Sequence, residues 1–425
     1  MSDESVEKGE PPMRRESFAV VHRKDVVPIQ LRVVTLNAWC LPQPWPIGSA
    51  DRVHRLKKIG EYMMEELYDI VGLQELWSYH DFVRLSEQVS SIYPYFHYFH
   101  SGFTGSGVCA FSRHPIVSTL TSRYSLNGFA HHIHRGDWFG GKVVGLVEVE
   151  IGDIHVNFYT THLHAEYDRE NDLYLPHRTS QSFELSQFVR HTSRGADVVI
   201  VTGDLNMEPC DLGFRMILSQ AKLFDAWRMN HEVESDERDD AEGLLKCRGI
   251  AKGGTCDRPD NSYTKGGLRS SDESKRIDYI LFKSGRCNVK LEECEITLNQ
   301  IPGEELCYSD HVGLRARFTI DDSFRQQSVN WEPNRPLLIE AIGIVSGGER
   351  RARQDRIFFL LMAAICLILI LGSLFFEILP TLFAVVRFLL TIVGVFFVWQ
   401  GLIGLTLERK ALKAAKQSMQ QILNN

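Results

Sequence analysis

Short apolar runs alternate with amphipathic stretches from Leu31 to about Ile320. LRVVTLN (31–37), DIVGLQE (69–75), HVNFYTTHL (155–163) and DVVIVTGDLN (197–206) are rich in β-branched residues. Each has a polar residue at or beside its end, the pattern of a strand buried on both faces. Residues 52–67 and 178–190 carry helical periodicity between them. Strand–helix alternation over this length predicts a layered α/β domain, residues 31–320, with one core. Residues 229–275 interrupt the pattern with Asp/Glu clusters and the pairs Gly253–Gly254 and Gly266–Gly267, and read as a polar, mobile insert. Residues 1–30 are mostly polar, include Pro11 and Pro12, and read as a disordered lead-in.

Beyond residue 350 the pattern changes. Residues 357–376 and 388–407 are two runs of twenty without a charge, each long enough to cross a bilayer as a helix. Glu377, Pro380 and Arg387 separate them, so residues 350–416 are expected to form a transmembrane hairpin. Arg350, Arg351, Arg353 and Arg356 precede the first run, and Arg409, Lys410, Lys413 and Lys416 follow the second. Positive charge on both outer flanks predicts a multi-pass protein with both termini and the large domain in the cytosol. Residues 321–349 read as a linker spanning about 30 Å if flexible, and 417–425 as a polar tail.

Composition alters this picture in two respects. The 425 residues carry a net charge of −7, but residues 350–425 hold nine Lys/Arg against three Asp/Glu, which leaves −13 on the main body. An acidic body disfavours a polyanion, so no nucleic-acid partner is expected. The basic end segment offers a contact for anionic lipid headgroups, or is simply the positive flank of the second span. Nine scattered cysteines without CxxC spacing point to reduced thiols in a cytosol-facing domain rather than a disulfide framework or a zinc site. No apolar run opens the chain, so no secretory signal is read.

An α/β sheet gathers its strand ends at one rim. Asn37, Glu75, His162, Asp204 and Asn206 all stand at such ends, joined by Asp278 in RIDY (276–279) and by Asp310 and His311 in SDH (309–311). Carboxylates and amides suit a hard cation such as Mg²⁺, with Mn²⁺ as a substitute. The adjacent Asp310 and His311 suit a carboxylate-assisted general base.

The ordered set LN, QE, TH, GDLN, RIDY and SDH resembles the endonuclease/exonuclease/phosphatase superfamily with its DNase I-like fold. That resemblance implies a four-layer α/β sandwich, two packed β-sheets flanked by helices. Within the superfamily, VVTLNAWCLP (33–42), VGLQELW (71–77), HRGDWFGGKVVGL (134–146), THLHAEY (161–167), DVVIVTGDLNMEP (197–209) and RIDYILF (276–282) resemble the Mg²⁺-dependent, two-span neutral sphingomyelinases. The resemblance implies hydrolysis of membrane sphingomyelin to ceramide and phosphocholine, at an endoplasmic reticulum, Golgi or plasma membrane. It implies that Glu75 binds the metal with Asn37 nearby, and that Asp204 and Asn206 hold the phosphate or the attacking water. His162 then stabilises the transition state, His311 is the general base, Asp310 orients it, and Asp278 supports it. Choline lysophospholipids or nucleic acid are alternative substrates, and an inactive membrane scaffold is the alternative outside enzymology. Four smaller features accompany the set. Cys256-Asp257-Arg258 spells a phosphatase-type block but lacks its apolar setting and reads as coincidence. His164 stands where secreted bacterial relatives have Gln, and its role is open. Lys142 reads as a solvated side chain on a glycine-flanked turn, with substrate phosphate as the alternative contact. Trp39, Trp45 and Trp138 are either core aromatics or an apolar rim near lipid.

Overall fold

The computed structural model describes residues 28–43, 48–231, 247–264, 273–322, 331–375 and 380–424. In chain order the elements are β1 (Ile29–Cys40), α1 (Arg52–Glu66), β2 (Ile70–Leu76), α2 (Tyr79–Val89), β3 (Tyr95–Tyr98), β4 (Cys109–Ser112), β5 (Ile116–Arg123), β6 (Val143–Ile151) and β7 (Ile154–His162). There follow α3 (Leu175–Thr192), β8 (Val198–Asp204), α4 (Leu212–Ala221), β9 (Phe224–Asp225), α5 (Ala226–Asn230), β10 (Asp278–Ser284), β11 (Asn288–Thr297) and β12 (Gly313–Asp321). The chain then continues as α6 (Arg335–Gly372), α7 (Pro380–Trp399) and α8 (Leu405–Asn424).

The strands form two six-stranded sheets, ordered β11-β12-β1-β2-β4-β3 and β5-β6-β7-β8-β10-β9. Side chains alternate across a strand, and here both faces are apolar. Val33, Ile70 and Leu314 of the first sheet meet Val147, Phe158 and Ile200 of the second in a central core. Val34, Leu36 and Leu73 point the other way, onto Ile59 and Met63 of α1 and Phe82 and Leu85 of α2. Tyr159, Val201 and Leu281 do the same for the second sheet, against Leu185 and Val189 of α3 and Phe214 and Ile217 of α4. The result is the four-layer sandwich, helix on sheet on sheet on helix. Near the rim the sheets approach closely: a Cβ on Gly72 would lie 2.9 Å from Thr202 Oγ1 and 3.1 Å from Phe158 Cζ.

The expected linker 321–349 is in part helical, and its residues 323–330 lie outside the described residues. Its second half belongs to α6, opened by Asn334, whose side chain accepts from the Leu337 amide, with proline in the first turn. Leu337, Leu338, Ala341 and Val345 recur at helical spacing and bury against Phe183 of α3, Leu212 and Met216 of α4, and Leu412 and Met419 of α8. The helix then runs without a break through Arg350–Arg356 into the apolar run.

Where the hairpin is expected stand two helices long and apolar enough to cross a membrane, with Ile357, Phe358, Leu361, Ile368, Phe388, Leu389 and Val395 among their exposed residues. A π-helical step at Gln400–Gly404 separates α7 from α8. Residues 1–27, most of the disordered lead-in, lie outside the described residues, as do Trp45, the inter-span turn at 376–379 and the parts 232–246 and 265–272 of the insert. The rest of that insert is folded back on the domain: Cys256 bridges to Lys275, and the Thr255 amide donates to the Lys275 carbonyl.

Candidate active site

Register places the rim residues. β7 runs parallel to β8 with His162 opposite Asp204, and β10 runs antiparallel with Asp278 opposite Asp204. Three polar side chains therefore stand in one row across the second sheet. Asn37 and Gln74 are neighbours in the first sheet where β1 and β2 run parallel. Gln74 is fully buried and donates from Nε2 to Thr35 Oγ1 and Thr160 Oγ1, both at 3.1 Å, pinning the two sheets together beneath the site. Glu75 and Asn206 both take left-handed backbone conformations, with φ of 57° and 49°. Non-glycine residues hold this region only where the surroundings demand it.

Asn37 links the sheets at the floor, its Nδ2 lying 3.3 Å from Glu75 Oε1 and 3.0 Å from Asp204 Oδ2. Asn206 donates its backbone amide to Asp204 Oδ1 at 2.9 Å and its Nδ2 to the Leu163 carbonyl at 2.9 Å. His162 Nε2 is 3.5 Å from Asp204 Oδ2 and 3.9 Å from Glu75 Oε1. All of Asn37, Glu75, His162, Asp204, Asn206, Asp278 and His311 thus meet at one rim, as the strand-end pattern expects.

Two expectations need correction. The carboxylate on His311 is Asp278, whose Oδ2 lies 2.8 Å from Nδ1. Asp310 turns instead to the Ser309 hydroxyl, 3.2 Å away, while that hydroxyl reaches the Asn37 carbonyl at 2.6 Å. Lys142 is not solvated: it is 1 % exposed, and its Nζ lies 3.1 Å from His162 Nε2, 2.9 Å from the Leu163 carbonyl and 3.5 Å from Asp137. An ammonium only donates, so His162 Nε2 is an acceptor and its proton sits on Nδ1, which has no partner among the described residues. Burial, with Lys142 beside it, holds the His162 pKa well below the usual histidine range. Positive charge in this half of the site therefore resides on Lys142.

The insert also contributes. Thr255 Oγ1 accepts from the Asp278 amide at 3.2 Å, and Cys256 lies against His311. Arg258 is buried on the Gly254 carbonyl. Of the Cys256–Arg258 tripeptide, Cys256 thus stands at the site, while Arg258 turns to the Gly254 carbonyl and Asp260. His164 is fully buried, stacked on Tyr174 at 4.2 Å between ring centroids. Of the three tryptophans, Trp39 packs with Arg55 and Tyr263, whereas Trp138 is 41 % exposed beside Trp399.

The electrostatics are those of a cation site. Burial raises the Glu75 carboxyl, with Asp310 adding to it; burial raises Asp204, with Asp278 adding to it; and burial raises Asp310. Asp278 Oδ1 has no partner among the described residues. One oxygen or nitrogen from each of Asp204, Asp278 and His311 falls within 4.8 Å of the others. Crowded, desolvated carboxylates repel one another unless a positive ion neutralises them. The donor set fits a divalent cation.

The profile of the Endonuclease/Exonuclease/phosphatase family matches residues 34–311, from β1 to the His311 that completes the rim. The chain belongs to that family. Family members use a divalent cation, in keeping with this donor set. A Caenorhabditis elegans protein provisionally named a neutral sphingomyelinase is 83 % identical over 98 % of this chain and 96 % of its own length. Human sphingomyelin phosphodiesterase 2 is 38 % identical over 71 % of this chain and 67 % of its own. Among solved structures, D. rerio TDP2 with single-strand DNA product superposes with a TM-score of 0.51 at 18 % identity, covering 68 % of this chain and 98 % of that one. That likeness confirms the DNase I-like fold.

Proposed function

We propose that this chain is a membrane-anchored phosphodiesterase that hydrolyses sphingomyelin to ceramide and phosphocholine. The observation that carries it is the 38 % identity to human sphingomyelin phosphodiesterase 2 over 71 % of this chain. Water attacks phosphorus in line, and the bond from phosphorus to the ceramide oxygen breaks. His311 Nε2 takes the proton from water while Asp278 holds Nδ1 and stabilises the imidazolium. Asp204 and Asn206 position the phosphate and the water; the departing ceramide oxygen takes a proton from solvent, and His311 then returns its own to solvent. Lys142, with His162 beside it, sits where charge builds on the phosphoryl oxygens. Glu75 and Asn37 lead the set that would hold Mg²⁺, which Mn²⁺ can replace, and the ion supplies Lewis-acid stabilisation and eases departure of the alcohol.

Basic flanks on both apolar helices support a hairpin with both ends and the catalytic domain in the cytosol, at an endomembrane or the plasma membrane. With only the plasma membrane permeabilised, tags at either end should then be reached by antibody. The functional test is purified full-length protein on sphingomyelin, lysophosphatidylcholine and single-stranded DNA, with and without Mg²⁺. Preference for either of the other substrates would replace the sphingomyelin reading, and inactivity on all three would favour a scaffold.

A further inference from the structure

The apolar helices do not hang free of the domain. Phe359, near the start of the first apolar run, packs on His131 with ring centroids 5.1 Å apart. Gln400, just past α7, is buried and lies 3.0 Å from His131 Nδ1. Trp399, the last residue of α7, meets Trp138 edge-on at 5.8 Å. Arg351 stacks over Phe129 at 5.0 Å. The stretch 129–139 is therefore pressed against the domain-side ends of both helices.

A second loop is laced to that stretch. Phe103 and Thr104 donate their amides to the Phe139 carbonyl at 3.0 and 3.2 Å, and Gly141 donates to the Gly105 carbonyl at 3.1 Å. Gly102, in the left-handed region, and Gly141 lie back to back: a Cβ on either would meet the other's backbone nitrogen at 2.3 or 2.2 Å. That contact leaves no slack, so the 101–105 loop stands fixed beside Lys142. At its tip Phe103 is 90 % exposed, with Ile133 at 68 % and Trp138 at 41 % on the adjoining stretch. Single exposed apolar residues are ordinary. Here three stand on two interlocked loops, and one of them, Trp138, touches the end of an apolar helix.

We propose that Phe103, Ile133 and Trp138 form a rim that enters the headgroup–acyl boundary of the bilayer crossed by α6 and α7, so that the site opens at the membrane surface. The occupant is lipid because the patch continues the apolar surface of the helices themselves, through Trp138 on Trp399. The Trp138 indole, apolar with one polar N–H, suits that boundary, while Phe103 and Ile133 add apolar area. The inference rests on the membrane-anchored reading above. It adds that the rim, and not only the anchor, delivers long-chain lipid to the site.

The test uses the full chain reconstituted in phosphatidylcholine vesicles. Phe103→Trp should add tryptophan fluorescence that bromine-labelled acyl chains quench, whatever the substrate proves to be. Phe103→Asp should lower turnover on vesicle sphingomyelin by at least tenfold, while hydrolysis of a monodisperse short-chain sphingomyelin stays within about twofold. Phe103→Leu should restore vesicle turnover. An unquenched tryptophan at 103, or equal losses on both substrates, overturns the rim. Failure of the unaltered protein on both sphingomyelins would instead sink the substrate reading, and the quenching result would still decide the rim.

Discussion

His311 Nδ1 lies 2.8 Å from Oδ2 of Asp278, thirty-three residues earlier in the chain, and not against the Asp310 that precedes it. The strand pairing explains this. Asp278 opens β10 directly opposite Asp204 on β8, so its side chain stands in the row of polar groups that His311 faces. Asp310 contacts the Ser309 hydroxyl instead, and feels the charges of His311 and then Arg55. The chain bends through residues 308–311 before β12 begins, so neighbours in sequence need not share a direction, and adjacency is poor evidence for an Asp–His pair.

Asp278→Asn should therefore lower turnover nearly as much as His311→Ala, on the order of 10²–10⁴-fold. The double variant should be little worse than either single one, because both changes disable one unit. The measurement is kcat on detergent-dispersed sphingomyelin. Multiplicative losses, or an Asp310→Asn variant worse than Asp278→Asn, would reassign the orienting carboxylate.

Chelation by EDTA should abolish activity and Mg²⁺ should restore it, with Mn²⁺ partly effective, since the crowded acids Glu75, Asp204, Asp278 and Asp310 offer oxygen donors. Glu75→Ala should resist rescue by added Mg²⁺ while keeping its circular dichroism spectrum. Full turnover in EDTA would exclude the cation from the chemistry.

Lys142→Met should cost turnover on the order of 10²–10³-fold by removing the buried charge next to His162. It should also lower the melting temperature, because Asp137 loses the ammonium beside it and keeps only the Tyr167 hydroxyl and His164 among the described residues. Adding Asp137→Asn should recover the melting temperature without recovering turnover. Recovery of both would mean that Lys142 serves only the fold.

The strands were legible because both of their faces are apolar, so runs such as LRVVTLN and DVVIVTGDLN stand out whatever the packing partner. The rim residues were legible as polar groups ending those runs. Lys142 was not: its burial comes from the Gly102–Gly141 contact and the end of β7, which only tertiary structure supplies. The fold of residues 335–349 was missed for a related reason. Leu337, Leu338, Ala341 and Val345 do carry a helical stripe, but short stripes beside a strongly apolar run are easily read as its approach. The Thr255–Cys256 wall lies in polar, glycine-rich sequence, and pairing with Lys275 gives it its order.

Three buried histidines should cost the fold stability in acid, against the raised carboxyls of Glu75, Asp204 and Asp310, which take up protons first in the folded state. Burial lowers the His164 pKa to about 4 and the His131 pKa to about 4, and holds His177 well below its usual value. Unfolded histidines titrate near 6.5, so between about pH 6.5 and 4 the unfolded chain binds protons that the folded chain does not. The stability these groups contribute is complete above pH 6.5 and is lost as pH falls through that window. At about 1.4 kcal/mol per tenfold change in proton affinity, His164 alone accounts for roughly 3 kcal/mol by pH 4. Measured against the unaltered detergent-solubilised chain, His164→Gln should gain melting temperature at pH 5 relative to pH 7. A slope unchanged by that substitution would clear His164 of the effect.

The packing of α6 makes the anchor part of the domain's stability. Leu338 and Val345 are fully buried, and the patch they cover includes Phe183, Leu212 and Met216. A chain ending after Asp322 would bare those side chains, each worth roughly 1.5–3 kcal/mol when buried. Such a truncate should melt well below the full chain and tend to aggregate, even though every rim residue from Asn37 to His311 is retained. Leu338→Asp in the full chain gives the same test with the apolar helices still present. It should cost on the order of 3 kcal/mol or more, because a charge enters a dry interface without a partner. The alternative, a free anchor on a flexible tether, makes the opposite prediction: the truncate and the Leu338→Asp chain would both melt with the unaltered protein. Thermal unfolding of the three proteins in one detergent, followed by tryptophan fluorescence, separates the two. If all three melted together, the α6 contact would carry no weight in solution, and position at the membrane would be the anchor's whole contribution.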